Sequence, residues 1–177
     1  GSDHLVRAFI ETYNFPATIS NCTNNYGPFQ FPEKIIPLFI TNAFKNKPLP
    51  IYGKGKAIRD YLYVIDHCVA LDLIIHKGKI GETYCIGGDS EKNGLEIADT
   101  ILNLLDKPKN LQTFVEDRKG HDMRYAMDHS KITRELGWNP SVSFEEGIQK
   151  TIEWYKKNEP WWQKIISKEY LDYNKNQ

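Results

Sequence analysis

The stretch Asn21–Lys34, NCTNNYGPFQFPEK, decides how the rest of the chain is read. Ala17-Thr18-Ile19-Ser20, just ahead of it, is short and β-prone, as a buried strand should be. Asn24, Asn25 and Gly27-Pro28 are then expected to break that strand into a polar loop, with a helix beginning at Glu33-Lys34. Side-chain amides both donate and accept hydrogen bonds, so Asn24 and Asn25 suit a carboxamide or a sugar hydroxyl. An ordinary Asn-rich turn is the plainer alternative, because Asn and Gly fit turn backbones anyway.

On either side of this loop, helical and extended patterns alternate. Asp3–Tyr13 carries Leu5, Val6, Phe9 and Ile10 as a helical stripe stopped by Asn14 and Pro16. The spacing predicts a helix over 32–44, with Pro37 tolerated near its start. Short extended pieces follow at 48–52 and 57–62, joined by a turn at Gly53–Gly55. A helix over 64–76 should bury Val69, Ala70, Leu73 and Ile74. Thr83–Ile86 reads as a strand, Leu95–Leu105 as the clearest amphipathic helix, and Gln112–Val115 as an edge strand. Ser130–Leu136 should be a short helix stopped by Gly137, and Ser143-Phe144-Glu145-Glu146 a capping box opening a helix that buries Phe144, Ile148, Ile152 and Tyr155. The class is therefore α/β. Residues 1–158 form the patterned body. The segment 159–177, rich in Trp, Lys and Tyr, is a tail that packs as one more helix or frays.

Composition narrows the function. The 177 residues suffice for a buried core, and a formal net charge of zero argues against nucleic acid or a membrane surface as the main partner. No apolar run has the length of a membrane span. Cys22, Cys68 and Cys85 are widely spaced and odd in number, so they read as reduced core cysteines of a cytoplasmic protein. Paired Cys or His spacing for zinc is absent, and no metal ligands are assigned. His4, His67, His76 and His129 have no carboxylate or metal-ligand spacing and are read as structural or surface residues.

Two further stretches, RDYLYVIDH at Arg59–His67 and DRKGHDMRYAMD at Asp117–Asp128, join the NNYGP loop in a recognisable set. Together they resemble the C-terminal half of the extended short-chain dehydrogenase/reductase family, and within it the dTDP-glucose 4,6-dehydratases, over residues from about 3 to about 158. The resemblance implies the last elements of a Rossmann-type fold plus the small sugar-nucleotide-binding domain. It places Asn24 against the sugar nucleotide, Asn25 against NAD, and Lys34 and Ile35 against the substrate, where a cation and a helix N-terminus favour an anionic group. Pro50 and Tyr52 would lie along the nucleotide base, although a half-buried core tyrosine is a fair alternative. Arg59 would bind the diphosphate through its planar fork, or else pair internally with Asp60 or Asp66. Arg118 and His121 would converge on the phosphates around Gly120, and Asp128 would cap the next helix. The family's substrate-contacting asparagine falls where this chain has Gly94, so Asn93 is carried over one position early.

That family also has a glycine-rich dinucleotide fingerprint, an Asp-Glu acid/base pair and a Tyr-x-x-x-Lys motif, none of which occurs here in a fitting context. The expectation is a piece of a longer enzyme, with the catalytic tyrosine and lysine ahead of Gly1, no catalytic residue in this chain and no turnover by it alone. The parent would be a homodimer that uses NAD and a dTDP-sugar, and exposed apolar surface would encourage self-association. A related epimerase or decarboxylase acting on another sugar nucleotide, and a non-catalytic sugar-nucleotide-binding module, are the rival readings.

Overall fold

The structure, a computed structural model, describes residues 1–117 and 119–167. In chain order its elements are α1 (Ser2–Tyr13), β1 (Ile19–Cys22), β2 (Asn24–Tyr26), α2 (Ile35–Phe44), β3 (Leu49–Tyr52), β4 (Ile58–Tyr63), α3 (Val64–Lys77) and β5 (Thr83–Ile86). Then come β6 (Glu91–Asn93), α4 (Gly94–Leu104), β7 (Gln112–Val115), β8 (Arg124–Tyr125), α5 (Ser130–Leu136), α6 (Phe144–Lys157) and α7 (Glu159–Ile166). The α/β class holds, with strands pairing β1-β5, β3-β7 and β2-β4-β6, and β8 also on β4. The chain divides into two compact units, each assembled from three separate segments.

The first unit comprises Gly1–Asn25, Arg59–Glu91 and Tyr125–Ser143. Here β1 lies parallel to β5, with Ile19 opposite Thr83 and Cys22 opposite Ile86. Leu62, Ala70, Ile74, Tyr84, Ile86, Ile132 and Trp138 form its core, with α3 and α5 supplying the helical part. Parallel strands need such helical cover because both faces carry apolar side chains. Asp66, buried in the first turn of α3, anchors the Ser141-Val142 stretch of the same unit. Its carboxylate accepts bonds from the Ser141 and Val142 amides, both at 2.9 Å, and from the Ser141 hydroxyl at 2.5 Å. The Trp138 indole donates to the Asp66 carbonyl at 3.1 Å.

The second unit comprises Tyr26–Ile58, Lys92–Arg124 and the chain from Phe144 onward. In it β3 runs parallel to β7, with Leu49 opposite Gln112 and Tyr52 opposite Val115. Apolar faces of α2, α4 and α6 bury Ile36, Phe39, Ile101, Leu102, Ile148 and Tyr155. Pro37 occupies the first turn of α2, where a missing amide proton costs nothing. Segment 159–166 forms α7, which buries Trp162 and joins it to α6 through an indole bond to the Tyr155 carbonyl at 2.8 Å.

Three expectations need correcting. Asn24 and Asn25 do not break the chain into a loop: they stand in β2, because the Thr23 amide still bonds the Ile86 carbonyl (3.0 Å) and the Thr23 hydroxyl the Asp60 carbonyl (2.7 Å). Pairing thus overrides the poor strand propensity of asparagine. Cys68 is exposed rather than in the core, and so is Val69, since the buried stripe of α3 runs instead through Asp66, Ala70 and Ile74. His76 and His129 do have carboxylate neighbours: Asp72 lies 3.3 Å from His76, and Asp89 lies 3.6 Å from His129. Gly137 does stop α5 in the left-handed region, with φ +71°.

Replacing Asp66 by Ala leaves two backbone amides and a hydroxyl without their acceptor. An unsatisfied buried donor costs about 1–3 kcal/mol, so Asp66→Ala should lower the free energy of unfolding by about 3 kcal/mol, read from the urea midpoint, and Asp66→Asn by less.

Candidate functional site

Asn24, Asn25 and Arg59 belong to the first unit, and Lys34, Ile35, Pro50, Tyr52, Asn93 and His121 to the second. Arg118 lies outside the described residues.

In the first unit the strand ends gather around one carboxylate. Asp60, only 2 % exposed, accepts the Gly88 amide at 2.7 Å and the Ser90 amide at 2.8 Å, while its carbonyl takes the Thr23 hydroxyl. Gly88 is required for this approach, because a β-carbon there would lie 2.0 Å from the Tyr61 carbonyl oxygen. Asp60 and Asp66 are therefore both engaged by main-chain amides, as structural acceptors. Asn24 is exposed on β2. Asn25 is half-buried, and its Nδ2 donates to the Cys22 Sγ at 3.2 Å and to the Thr23 carbonyl at 3.1 Å. Arg59 is partly exposed and lowers the pKa of the Tyr61 hydroxyl, but burial dominates and pushes Tyr61 up to about 12. Asp128 takes the Ser130 amide at 2.7 Å, a bond that holds its carboxyl below the usual range, but it stands one residue ahead of the α5 N-cap, which is His129. A cavity of about 390 Å³ nearby is lined by Asp60, Asp89, Glu91, Ala126 and Met127. Its carboxylates would repel a diphosphate.

In the second unit, strand alternation puts Pro50 and Tyr52 on one face of β3, with Thr113 and Val115 opposite them on β7. Tyr52 is 44 % exposed, so its ring lies at the surface. The chain then turns through Gly53-Lys54-Gly55. Gly55 sits at φ +67°, where a β-carbon would lie 2.8 Å from both the Ile51 and Leu95 side chains. That tight fit brings the Gly55 carbonyl to 3.8 Å, and the Ile35 Cδ1 to 4.0 Å, from where a Gly94 β-carbon would stand. The N-termini of α2 and α4 thereby meet beside one turn. Each presents there the positive end of its helix dipole.

Asn93 has a definite structural duty. Its Oδ1 accepts the Leu95 and Glu96 amides, both at 3.0 Å, and Glu96 returns a bond to the Asn93 amide at 2.7 Å. The capping box leaves Nδ2 as the group that can face a ligand. His121 is held by Asp117, with 2.7 Å between Nδ1 and Oδ1, and the Asp117 carboxylate lies over Gly53. Asp117 was missing from the candidates. Its four-residue spacing from His121 was the available signal. Tyr52, the Gly53–Gly55 turn, Asp117 and His121 therefore share one corner of this unit.

A model of the GDP-mannose 4,6 dehydratase family matches residues 1–151. The chain belongs to this family. A dTDP-glucose 4,6-dehydratase of Salmonella typhimurium is 55% identical over 176 residues, spanning 96% of this chain and 49% of the relative. The dTDP-glucose 4,6-dehydratase of Streptomyces venezuelae, solved with NAD bound, superposes with a TM-score of 0.91 at 44% identity, covering 93% of this chain and 51% of that one. That of Bacillus anthracis, in complex with NAD, gives 0.89 at 47% identity, covering 93% and 52%. The chain spans about half the length of the curated relatives it matches. As a member of the GDP-mannose 4,6 dehydratase family it has the expected Rossmann-type α/β class. No helix among the described residues is long and apolar enough to cross a membrane.

The RDY segment yields a pH test. Tyr61 titrates near 12 when folded and near 10 when unfolded, so its contribution is complete below pH 10 and is lost as pH rises toward 12. At pH 11 this amounts to about 1.4 kcal/mol. Urea melts at pH 9 and 11 should show a smaller alkaline loss in Tyr61→Phe than in the unsubstituted protein.

Proposed function

We propose that this chain is the sugar-nucleotide-holding half of a dTDP-glucose 4,6-dehydratase, an NAD-dependent lyase that removes water to give dTDP-4-keto-6-deoxyglucose. The observation that carries this reading is the corner of the second unit where two helix N-termini, the Gly53–Gly55 turn, Tyr52 and the Asp117–His121 pair come together. An anion at the helix ends and an aromatic base on Tyr52 match the two ends of a nucleoside diphosphate. Identity of 55% across 96% of the chain supports the choice of substrate.

Each candidate then has a physical task. Lys34 adds a positive charge at the α2 N-cap, and Ile35 begins the helix whose free amides face the anion. His121, fixed through Nδ1 by Asp117, keeps Nε2 for a phosphate oxygen. Pro50 and Tyr52 supply the flat face for the base. Arg59 and Arg118 supply charge-assisted bonds to the diphosphate, and Asn24 and the Asn93 Nδ2 supply amide contacts to the sugar nucleotide. Asn25 already spends its Nδ2 on Cys22 and Thr23, so toward NAD it offers packing rather than a donor. NAD, when bound, supplies the reversible hydride acceptor for the sugar C4. Holding both ends of the nucleotide fixes the sugar, so that binding energy remote from the reacting carbons becomes orientation.

Residues 1–158 are taken as the half-enzyme and 159–177 as its appended tail. A cytoplasmic, homodimeric parent completes the reading, supported by the exposed Leu5, Phe9 and Tyr13 of α1. In the complete enzyme, Arg59→Ala or Arg118→Ala should raise KM for dTDP-glucose about 10- to 100-fold, the equivalent of one charge-assisted bond, while bound NAD stays constant. Steady-state kinetics with NAD quantified after gel filtration measures both. Loss of NAD at unchanged KM would overturn the diphosphate assignment. The 177-residue chain alone should show no keto-sugar formation, and turnover by it would overturn the division of labour.

A further inference from the structure

The stretch that leads into the α2 N-terminus contains a backbone conformation that its own sequence does not favour. Phe29 has φ +61° although it is bulky, and its side chain is 68 % exposed. A large side chain in the left-handed region persists only where the surroundings over-determine it. Burial does not do so here. Aromatic contacts do: the Phe29 ring lies 4.7 Å from the Trp154 ring and 5.6 Å from the Trp161 ring, and the two indoles are 5.1 Å apart.

The support is rigid. Trp154 stands on α6 and Trp161 on α7, and the corner between them is fastened by the Asn158 side-chain amide donating to the Trp154 carbonyl at 2.8 Å. On either side of Phe29 the loop is fixed to α6 again. Tyr26 packs on Phe144 at 5.5 Å between ring centroids, and a β-carbon on Gly147 would lie 2.1 Å from its hydroxyl oxygen. The Tyr155 hydroxyl donates to the Gln30 carbonyl. From there a chain of main-chain bonds leads to the helix: Gln30 to Gly27, Lys34 to Phe31 and Leu38 to Lys34. Lys34 itself is extended, with φ −75° and ψ 151°, as the N-cap of α2. The short span between Phe29 and this N-cap, bonded at both ends, links the position of the ring to that of Lys34 and Ile35.

We propose that Phe29, clamped by Trp154 and Trp161, is a positioning residue that sets the α2 N-terminus for sugar-nucleotide binding. The proposal rests on the function inferred above, and extends it to aromatic residues near the C-terminal end of the chain that touch no proposed ligand. It is tested in the complete enzyme with Phe29→Ala, Phe29→Gly, Phe29→Tyr and Trp154→Ala. Loss of aromatic contacts of this kind should raise KM for dTDP-glucose about two- to tenfold in the Ala and Gly variants, with kcat and bound NAD unchanged. Phe29→Tyr, which keeps the ring, should restore the original KM. Because Phe29 is exposed, the Phe29 variants keep the fold even if Trp154→Ala does not, and a thermal melt verifies this. Folded Phe29→Ala and Phe29→Gly with unchanged KM overturn the proposal, as does a fall in kcat at constant KM. An unsubstituted enzyme that fails to turn over dTDP-glucose overturns the functional reading and this inference with it; normal turnover with unaltered variants overturns this inference alone.

Discussion

The buried carboxylate of Asp60 is the constraint around which the first unit is organised. Two strand ends come to this residue: Gly88 and Ser90, beyond β5, give their amides to its carboxylate, and Thr23, beyond β1, gives its hydroxyl to its main-chain carbonyl. A buried carboxylate is tolerated when its oxygens have good donors, and here each oxygen receives one backbone amide. The geometry also works in reverse. Because Asp60 needs those amides, the chain after β5 must close tightly, which only glycine permits at position 88. Asn24, Asn25 and Arg59 are immediate chain neighbours of residues in this network, so their backbone positions follow from it.

The second unit organises its corner by a different physics. The proposed anion site there rests on the dipoles of two helix ends, brought together by the close fit of Gly55 against Leu95 and of Gly94 near Ile35. Backbone dipoles need no rearrangement to receive a charge, so a site of this kind is organised before a ligand arrives. Side chains then add selectivity. Asp117 orients His121 and Tyr52 offers a flat exposed ring, but neither could define the site without the turn that places them.

Much of this was legible in the sequence because it is local. The α4 stripe, the Gly137 stop and the buried face of α6 all follow from spacing within a few residues. The role of Asn93 was legible too, yet was read otherwise: Asn93-x-x-Glu96 has the same capping logic that was recognised at Ser143–Glu146. What was hidden depends on distant partners. Nothing near Asn24 announces a strand, since its β2 backbone follows from Thr23 bonding Ile86 and Asp60. Nothing near Gln112 announces that β7 lies beside β3, some sixty residues earlier. The Phe29 contacts escaped for the same reason, because Trp154 and Trp161 are far away in the chain and look like core or tail aromatics.

The Arg59-Asp60-Tyr61-Leu62 segment shows how strand alternation divides the duties of neighbouring residues. Alternation sends Asp60 and Leu62 to one face, where one meets the Gly88 and Ser90 amides and the other joins the apolar core. Arg59 and Tyr61 take the other face, consistent with the guanidinium's influence on the buried hydroxyl. The register of this strand is therefore fixed by groups that cannot slip. A one-residue shift would bury Arg59 in the Asp60 position and expel a carboxylate from its amides, at a cost of several kcal/mol. The backbone of Arg59 is then held at a set height along β4 by its neighbours, which is the fixed base that the proposed diphosphate contact would need.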